Sequence, residues 1–295
     1  APQALVLTTT RELAMQVAEA IHSYSKYQRV AVLPVYGGQS YSRQISRLQR
    51  GVHVVVGTPG RLLDLLGQGV LNLSSLRFLV LDEADEMLNM GFIEDVEAIL
   101  SQTPTARQTA LFSATLPEPI RRLSDRYLRE PELVVTSSTR LTVDQTEQRQ
   151  YLVSESDKLA ALLRLLEMEE GIRNILIFVR TKIGAGALAE ALLERGVQAD
   201  ALHGDLTQPM RETVLRRFRD ETLPVMVATD VAARGLDIDD ISHVINYDVP
   251  LDSEAYVHRI GRTGRAGRTG VAITLVTPQE RWRMDRIERF TKQAI

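Results

Sequence analysis

Phe78-Leu79-Val80-Leu81-Asp82-Glu83-Ala84-Asp85 decides how this chain is read: a short apolar run stops abruptly at three carboxylates. An unbroken run of branched and aromatic side chains suits a parallel strand covered on both faces. Open α/β sheets bind their ligands beyond the carboxyl ends of such strands. Asp82 and Glu83 therefore belong at a sheet edge. Paired carboxylates there suit a nucleotide phosphate site, where one engages Mg²⁺ through its water shell and the other orients or deprotonates a water molecule. An acidic helix N-cap after a strand accounts for a bare Asp-Glu pair more simply, so the surrounding chain must decide.

With 295 residues the chain has room for about two domains. It has no cysteine, which excludes disulfides and cysteine-ligated zinc or iron-sulfur centres and fits an intracellular, cytoplasmic setting. No apolar stretch reaches membrane-spanning length, and the first residues carry no signal-peptide pattern. A net charge of −3 gives no global basic signature, so nucleic-acid binding would rest on local arginines.

In the first half, Ala4 to Leu7 reads as a strand, and Thr9-Thr10-Arg11-Glu12 matches a capping box before a helix carrying Leu13, Val17 and Ile21. Val30 to Tyr36 is a second strand, closed by Gly37-Gly38, and a polar helix follows over Gln39 to Gln49. Val52 to Val56 is a third strand. Thr58 is placed as an N-cap with Pro59 at the first helical position, and Leu62, Leu63, Leu65 and Leu66 form the buried face. Thr10-Arg11-Glu12 and Thr58-Pro59-Gly60-Arg61 share one design, a helix N-terminus with an arginine beside it, which suits phosphate; an arginine paired with a nearby acid explains either equally well. Gln108 to Phe112 forms a further strand running into Ser113-Ala114-Thr115, and Val134-Val135 closes the sheet.

Thr136 to Glu147 is polar and aperiodic and is placed as a linker, with the boundary near Arg140. The βα alternation then restarts with Gln150 to Val153, a helix with Leu159, Leu162, Leu163 and Leu166, the strand Asn174 to Val179, and a helix over Ala185 to Leu193. Such alternation means a parallel sheet with right-handed crossovers. Thr207 caps a helix holding Arg211, Arg216, Arg217 and Arg219, the densest basic cluster, which suits a phosphodiester backbone or a solvated face alike. Val225 to Thr229 runs into Asp230 and then Arg234-Gly235-Leu236-Asp237. The strand His243 to Tyr247 precedes a helix on which His258, Arg259 and Arg262 cluster, with Arg265 just beyond. So many cations at one spot call for an anion, and a triphosphate is such an anion.

The order of these pieces resembles the DEAD-box RNA helicases of superfamily 2 through essentially the whole chain. Thr10-Arg11-Glu12-Leu13-Ala14, Gly37-Gly38, Thr58-Pro59-Gly60-Arg61, the Asp82 tetrad and Ser113-Ala114-Thr115 look like the successive motifs of the family's first RecA-like domain. Gln208 with Arg211, Thr229-Asp230 through Arg234-Gly235-Leu236-Asp237, and His258-Arg259-Ile260-Gly261-Arg262-Thr263-Gly264-Arg265 look like those of the second. The run Glu86 to Phe92 is most similar to the bacterial cold-shock type.

The resemblance implies an α/β fold of two RecA-like parallel-sheet domains in tandem: residues 1–139, a linker over 140–147, and residues 148–295. It implies ATP and Mg²⁺ as cofactors and RNA as partner, one strand being gripped by its backbone. By the same resemblance Asp82 would engage Mg²⁺, Glu83 would activate water, and Arg262 and Arg265 would act as arginine fingers, with Gly235 and Asp237 on the nucleotide. Asp85, Ser113, Thr115 and His258 would couple the domains. Arg11, Gly38, Thr58, Arg61, Arg211 and Thr229 would hold RNA. An RNA-binding protein that has lost its ATPase and a DNA translocase of the same superfamily are the alternatives.

Two departures accompany the resemblance. Thr9 stands where the family has proline, a change that still caps a helix. The family's adenine-reading glutamine segment and A-x-T-G-x-G-K-T phosphate loop, upstream of the opening strand, do not occur in these residues, and Thr181-Lys182 with Gly184-Ala185-Gly186 has the wrong spacing to replace them. The first domain is thus expected to lack its N-terminal phosphate-loop portion. The chain is expected to be a fragment of a longer helicase, binding ATP poorly and hydrolysing it hardly at all alone.

Overall fold

The computed structural model describes residues 1–135, 146–169, 171–236, 238, 241–264 and 270–295. It forms two compact units, the first Ala1–Val135 with Gly235 and Leu236, the second the other described residues from Thr146 onward. In the first, strands and helices alternate as β1 (Ala4–Leu7), α1 (Arg11–Tyr24), β2 (Val32–Val35), α2 (Tyr41–Gln49), β3 (Val54–Gly57), α3 (Pro59–Gly67) and β4 (Phe78–Leu81). They are followed by α4 (Ala84–Asn89), α5 (Ile93–Leu100), β5 (Gln108–Leu111) and α6 (Glu118–Tyr127). The second unit runs β6 (Thr146–Leu152), α7 (Lys158–Met168), β7 (Ile175–Phe178), α8 (Lys182–Leu193), β8 (Ala199–Leu202) and α9 (Gln208–Arg219). Then come β9 (Val225–Ala228), α10 (Asp230–Ala233), β10 (His243–Asn246), α11 (Ser253–Ile260), β11 (Gly270–Val276) and α12 (Arg281–Thr291).

Both sheets are parallel throughout. The first has the order β2-β3-β1-β4-β5 and the second β6-β11-β10-β7-β9-β8. Helices on both faces explain the unbroken apolar runs: every residue of β7 and β9 is buried, and β1, β3 and β4 feed Leu5, Leu7, Val55, Leu79 and Leu81 into one core with Leu62 and Leu65 of α3. A short hydroxyl run, Thr8 to Thr10, joins β1 to α1, and Thr10 accepts a hydrogen bond from Leu13 N as the N-cap.

Several expectations change in detail. The capping residue is Thr10, so Thr9 is released from that role. Helix α1 turns Ala14 and Ala18 inward and leaves Leu13, Val17 and Ile21 half-buried, because small side chains let it lie close against the sheet. Thr58 and Thr207 occupy N-cap positions without making the side-chain bond. Val134 and Val135 join no strand and are about four-fifths exposed, at 81% and 80%, so they do not close the sheet. Strand β6 begins at Thr146, inside the expected linker. The boundary at Arg140, with Asp237 and Arg265, lies outside the described residues. No helix among the described residues is long and apolar enough to cross a membrane.

Candidate functional site

The first unit gathers its predicted residues along the carboxyl ends of its strands. Asp82 follows β4 directly, and its backbone N–H donates to Leu7 O at the end of β1 (3.0 Å). The next residue, Glu83, adopts a left-handed backbone (φ 53°, ψ 51°), a conformation costing about 1–2 kcal/mol for a residue with a Cβ. The kink turns the chain sharply into α4 and leaves the side chain at the sheet edge, where Thr9 Oγ1 donates a 2.6 Å hydrogen bond to Glu83 Oε2. Thr9 is buried, which gives the contact a fixed donor on the neighbouring strand's extension. Nothing in the sequence signalled this pairing, since a threonine in place of the family's proline read only as a possible cap.

Asp82 Oδ1 accepts from Glu83 N (3.0 Å). Burial raises the Asp82 carboxyl above its usual range, and the hydrogen bond from Glu83 N opposes that rise. Asp85 is fully engaged one turn on. Its Oδ2 accepts from Thr115 N (2.8 Å) and Thr115 Oγ1 (3.0 Å), its Oδ1 from Glu86 N (3.1 Å), and its own N–H donates to Ser113 Oγ (3.1 Å). Asp85 of α4 and Ser113 and Thr115 beyond β5, three of the four residues expected to couple the domains, are thus brought together.

Beyond β2 and β3 the edge is built on glycine and arginine. Gly38 has φ 85°, and a Cβ there would lie 2.5 Å from an Arg11 guanidinium nitrogen, so the guanidinium lies against bare backbone that only glycine provides. Arg61 departs from expectation. It is buried, its Nη1 is shared between Gln39 O and Gln44 Oε1 (both 3.2 Å), and its guanidinium stacks 3.8 Å from the Tyr41 ring centroid. Tyr41 in turn donates to Asp64 (2.5 Å). Arg61 is thus tied to Gln39 O, next to the Gly37-Gly38 turn, and to Gln44 and Tyr41 of α2. Its position at the third residue of a helix whose first turn packs inward forces the long side chain back under α2.

In the second unit Thr229 occupies the N-cap position of α10 without making the side-chain bond, and Arg211 of α9 reaches that helix through Arg211 Nη2 to Ala232 O (3.4 Å). Gly235, left-handed at φ 66°, ends the turn after α10. His258 lies in the last turn of α11 and Arg262 just past it, with Arg262 Nε donating to His258 O (3.3 Å). Between them sits Arg259, expected among the cations that await a phosphate but committed instead to partners inside the second unit. Arg259 is buried and forks onto Asp230, Nε to Oδ1 at 2.5 Å and Nη2 to Oδ2 at 2.8 Å, while its Nη1 donates to Asn246 Oδ1 (3.1 Å) and Asp248 O (2.8 Å). Its place between the buried Tyr256 and Ile260 was the available signal.

Among the described residues no cluster of three or more His, Cys, Asp or Glu side chains could hold a metal ion by itself. Asp82 alone fits only an ion that takes most of its ligands from water and phosphate, which is the habit of Mg²⁺.

Two parallel α/β units in tandem, each presenting acids, hydroxyls and arginines at its strand ends, define a tandem RecA-like protein. The DEAD/DEAH box helicase family matches residues 1–123, and the helicase conserved C-terminal domain matches residues 157–267. The chain is 53% identical over 293 residues to the DEAD-box ATP-dependent RNA helicase CshA of Geobacillus kaustophilus, an alignment spanning 99% of this chain and 62% of that protein. It spans about three-fifths of that relative's length. Among solved structures, S. cerevisiae Dbp5 bound to RNA and ADP BeF3 matches with a TM-score of 0.89 at 31% identity, covering 100% of this chain and 76% of that one. A DEAD box protein from Methanococcus jannaschii matches at 42% identity with a TM-score of 0.56, covering 100% and 79%. The chain belongs to the DEAD-box helicase family.

Proposed function

We propose that these residues are the RNA-gripping and water-activating portion of an ATP-dependent RNA helicase. The observation that carries the reading is Glu83, held by Thr9 at the sheet edge beside Asp82 and one helical turn's reach from the Asp85-Ser113-Thr115 group. Glu83 takes the proton of the attacking water. Asp82 would hold Mg²⁺ through water, and the ion when bound offsets phosphate charge. Arg262 and Arg265 stabilise charge developing on the γ-phosphate, and Gly235 and Asp237 contact the nucleotide. Arg11, Gly38, Thr58, Arg211 and Thr229 hold one RNA strand by phosphates and 2′-hydroxyls, with Arg61 tied next to the Gly37-Gly38 turn. Asp85, Ser113, Thr115 and His258 link RNA binding to hydrolysis, and closing of the two units on a bent strand separates it from its partner. None of these residues supplies the lysine and amide cradle that β- and γ-phosphates need, so the 295 residues alone bind RNA and turn ATP over very slowly.

The test is ATP hydrolysis by the native-length protein with single-stranded RNA, matched single-stranded DNA, or neither. At least about tenfold stimulation by RNA alone is expected, the size of change that one good transition-state contact brings. Equal stimulation by DNA would make it a DNA translocase, and RNA binding with no hydrolysis would make it a binding protein.

Thr9 is a positioning residue in this scheme. Thr9→Val keeps its shape and removes the donor to Glu83, and is expected to lower kcat by about 10- to 100-fold, the size of the roughly 1.5–3 kcal/mol that hydrogen bonds to charged groups carry. The RNA KM should stay at its wild-type value and Thr9→Ser should restore turnover. A valine variant with wild-type kcat would remove Thr9 from the mechanism.

A further inference from the structure

The opposite edge of the first sheet is built unlike the rest of the protein. The amino ends of its strands stand in register, Val32 beside Val54, Val54 beside Ala4, Ala4 beside Phe78 and Phe78 beside Gln108, a row about 19 Å wide at normal strand spacing. Backbone hydrogen bonds tie the entering segments together: His53 N to Ala31 O (2.9 Å), Gln3 N to His53 O (2.8 Å), Arg77 N to Gln3 O (2.7 Å) and Gln108 N to Arg77 O (2.9 Å). Ala31 N also donates to His53 Nδ1 (2.9 Å). These bonds make the edge a fixed platform.

Its charge is one-sided. Segments 22–31, 47–53 and 68–77 contain Lys26, Arg29, Arg47, Arg50 and Arg77 and not one Asp or Glu, in a chain with 38 acidic and 35 basic residues. All five cations are exposed, and none forms an ion pair among the described residues. The flanking carboxylates are Glu19 on α1 and Asp64 on α3, and Glu130 and Glu132 stand with Gln108 at the β5 end of the row. Tyr24 and Tyr27 stand 87% and 91% exposed beside Lys26, whose Nζ lies 6.0 Å from the Tyr27 ring centroid. Unpaired cations on a rigid base repel one another unless a polyanion answers them, and two bare aromatic rings among them offer base-stacking faces that an acidic protein surface would not use.

We propose that this edge is a second contact for single-stranded RNA, with Lys26, Arg29, Arg50 and Arg77 on successive phosphates and Tyr24 and Tyr27 stacking bases. It rests on the RNA-binding reading above. The site takes RNA leaving the first edge and reads no sequence. Because it lies at the other end of the strands, it adds affinity only for strands long enough to reach it.

The experiment measures binding of short and long fluorescent oligouridylates to the native-length protein across a salt series. It compares wild type, a K26Q/R29Q/R50Q/R77Q variant, a Y24A/Y27A variant, and R211A as a control at the RNA contact proposed for the second unit. For the long strand the quadruple variant should bind about tenfold more weakly and lose about 0.7 of salt slope per phosphate contact, nearly 3 in all. The tyrosine variant should lose affinity with the slope unchanged. The short strand should bind both variants like wild type, whereas R211A should weaken both strands. All changed residues are exposed, and an unchanged melting midpoint confirms folding. Long-strand binding and slope equal to wild type in the quadruple variant would overturn the proposal while leaving the helicase reading intact. A lost second contact in a protein whose hydrolysis ignores RNA would do the reverse. No RNA binding by wild type would end both.

Discussion

Glu83→Gln is expected to reduce RNA-stimulated ATP turnover by about 10²–10⁴-fold, the range general-base catalysis contributes, while RNA binding in the presence of ATP persists. The amide has the carboxylate's shape and can still accept from Thr9 Oγ1, so the contact at 2.6 Å and the left-handed backbone at residue 83 survive. What is lost is the capacity to take a proton from water. Asp82, whose carboxyl burial raises, stays one residue away, yet its Oδ1 is engaged by Glu83 N and it projects from the strand end, before the kink that aims residue 83. It therefore does not substitute. Steady-state hydrolysis and fluorescence anisotropy on one preparation check both halves, and turnover within threefold of wild type would end the assignment of Glu83.

Arg259→Ala is expected to destabilise the second unit by about 3 kcal/mol, the lower end for breaking a buried pair, because Asp230 keeps 33% of its side chain exposed and recovers some hydration. The loss exceeds one ion pair. Asn246 Oδ1 and Asp248 O lose their donor, and the guanidinium no longer packs 5.0 Å from the Phe178 ring centroid. Arg259 joins the start of α10, just after Thr229, to the end of α11, between His258 and Arg262. RNA-stimulated hydrolysis should therefore fall by at least about tenfold even where the variant stays folded. Arg259→Lys should not rescue, since an ammonium cannot reproduce the two-pronged bond to Asp230. Denaturant melts of Arg259→Ala, Asp230→Asn and the double variant should give a coupling of about 1–3 kcal/mol. Single variants within about 0.5 kcal/mol of wild type would show the clamp to be inconsequential.

The strands most plainly written in the sequence are those buried on both faces. Ile175–Phe178 and Val225–Ala228 admit no reading but a covered strand, because only continuous apolar side chains can lie between two helical layers. Strand β8, Ala199–Leu202, carries no strand signal: at the sheet's edge its Ala-Asp-Ala-Leu needs neither branching nor continuity. Strand β11 pairs with β6 and β10, which are distant from it in sequence, and no local pattern announces that pairing. Val134-Val135 shows the converse error, a β-branched pair that finds no partner strand. Asp85 with Ser113 and Thr115 was legible through resemblance, and the hydrogen bonds agree with that grouping.

The sequence by itself determined the order of parallel elements and which residues sit where strands end, since burial on both faces and the βα alternation impose those on any chain with this pattern. Only the tertiary structure decided which of those residues touch. Thr9 meets Glu83 across 74 positions, Arg259 meets Asp230 across 29, and Arg61 turns under Gln44 instead of outward. A hydrogen bond is made or missed within a few tenths of an ångström, and the packing of separate βα units sets that distance. No local pattern encodes it.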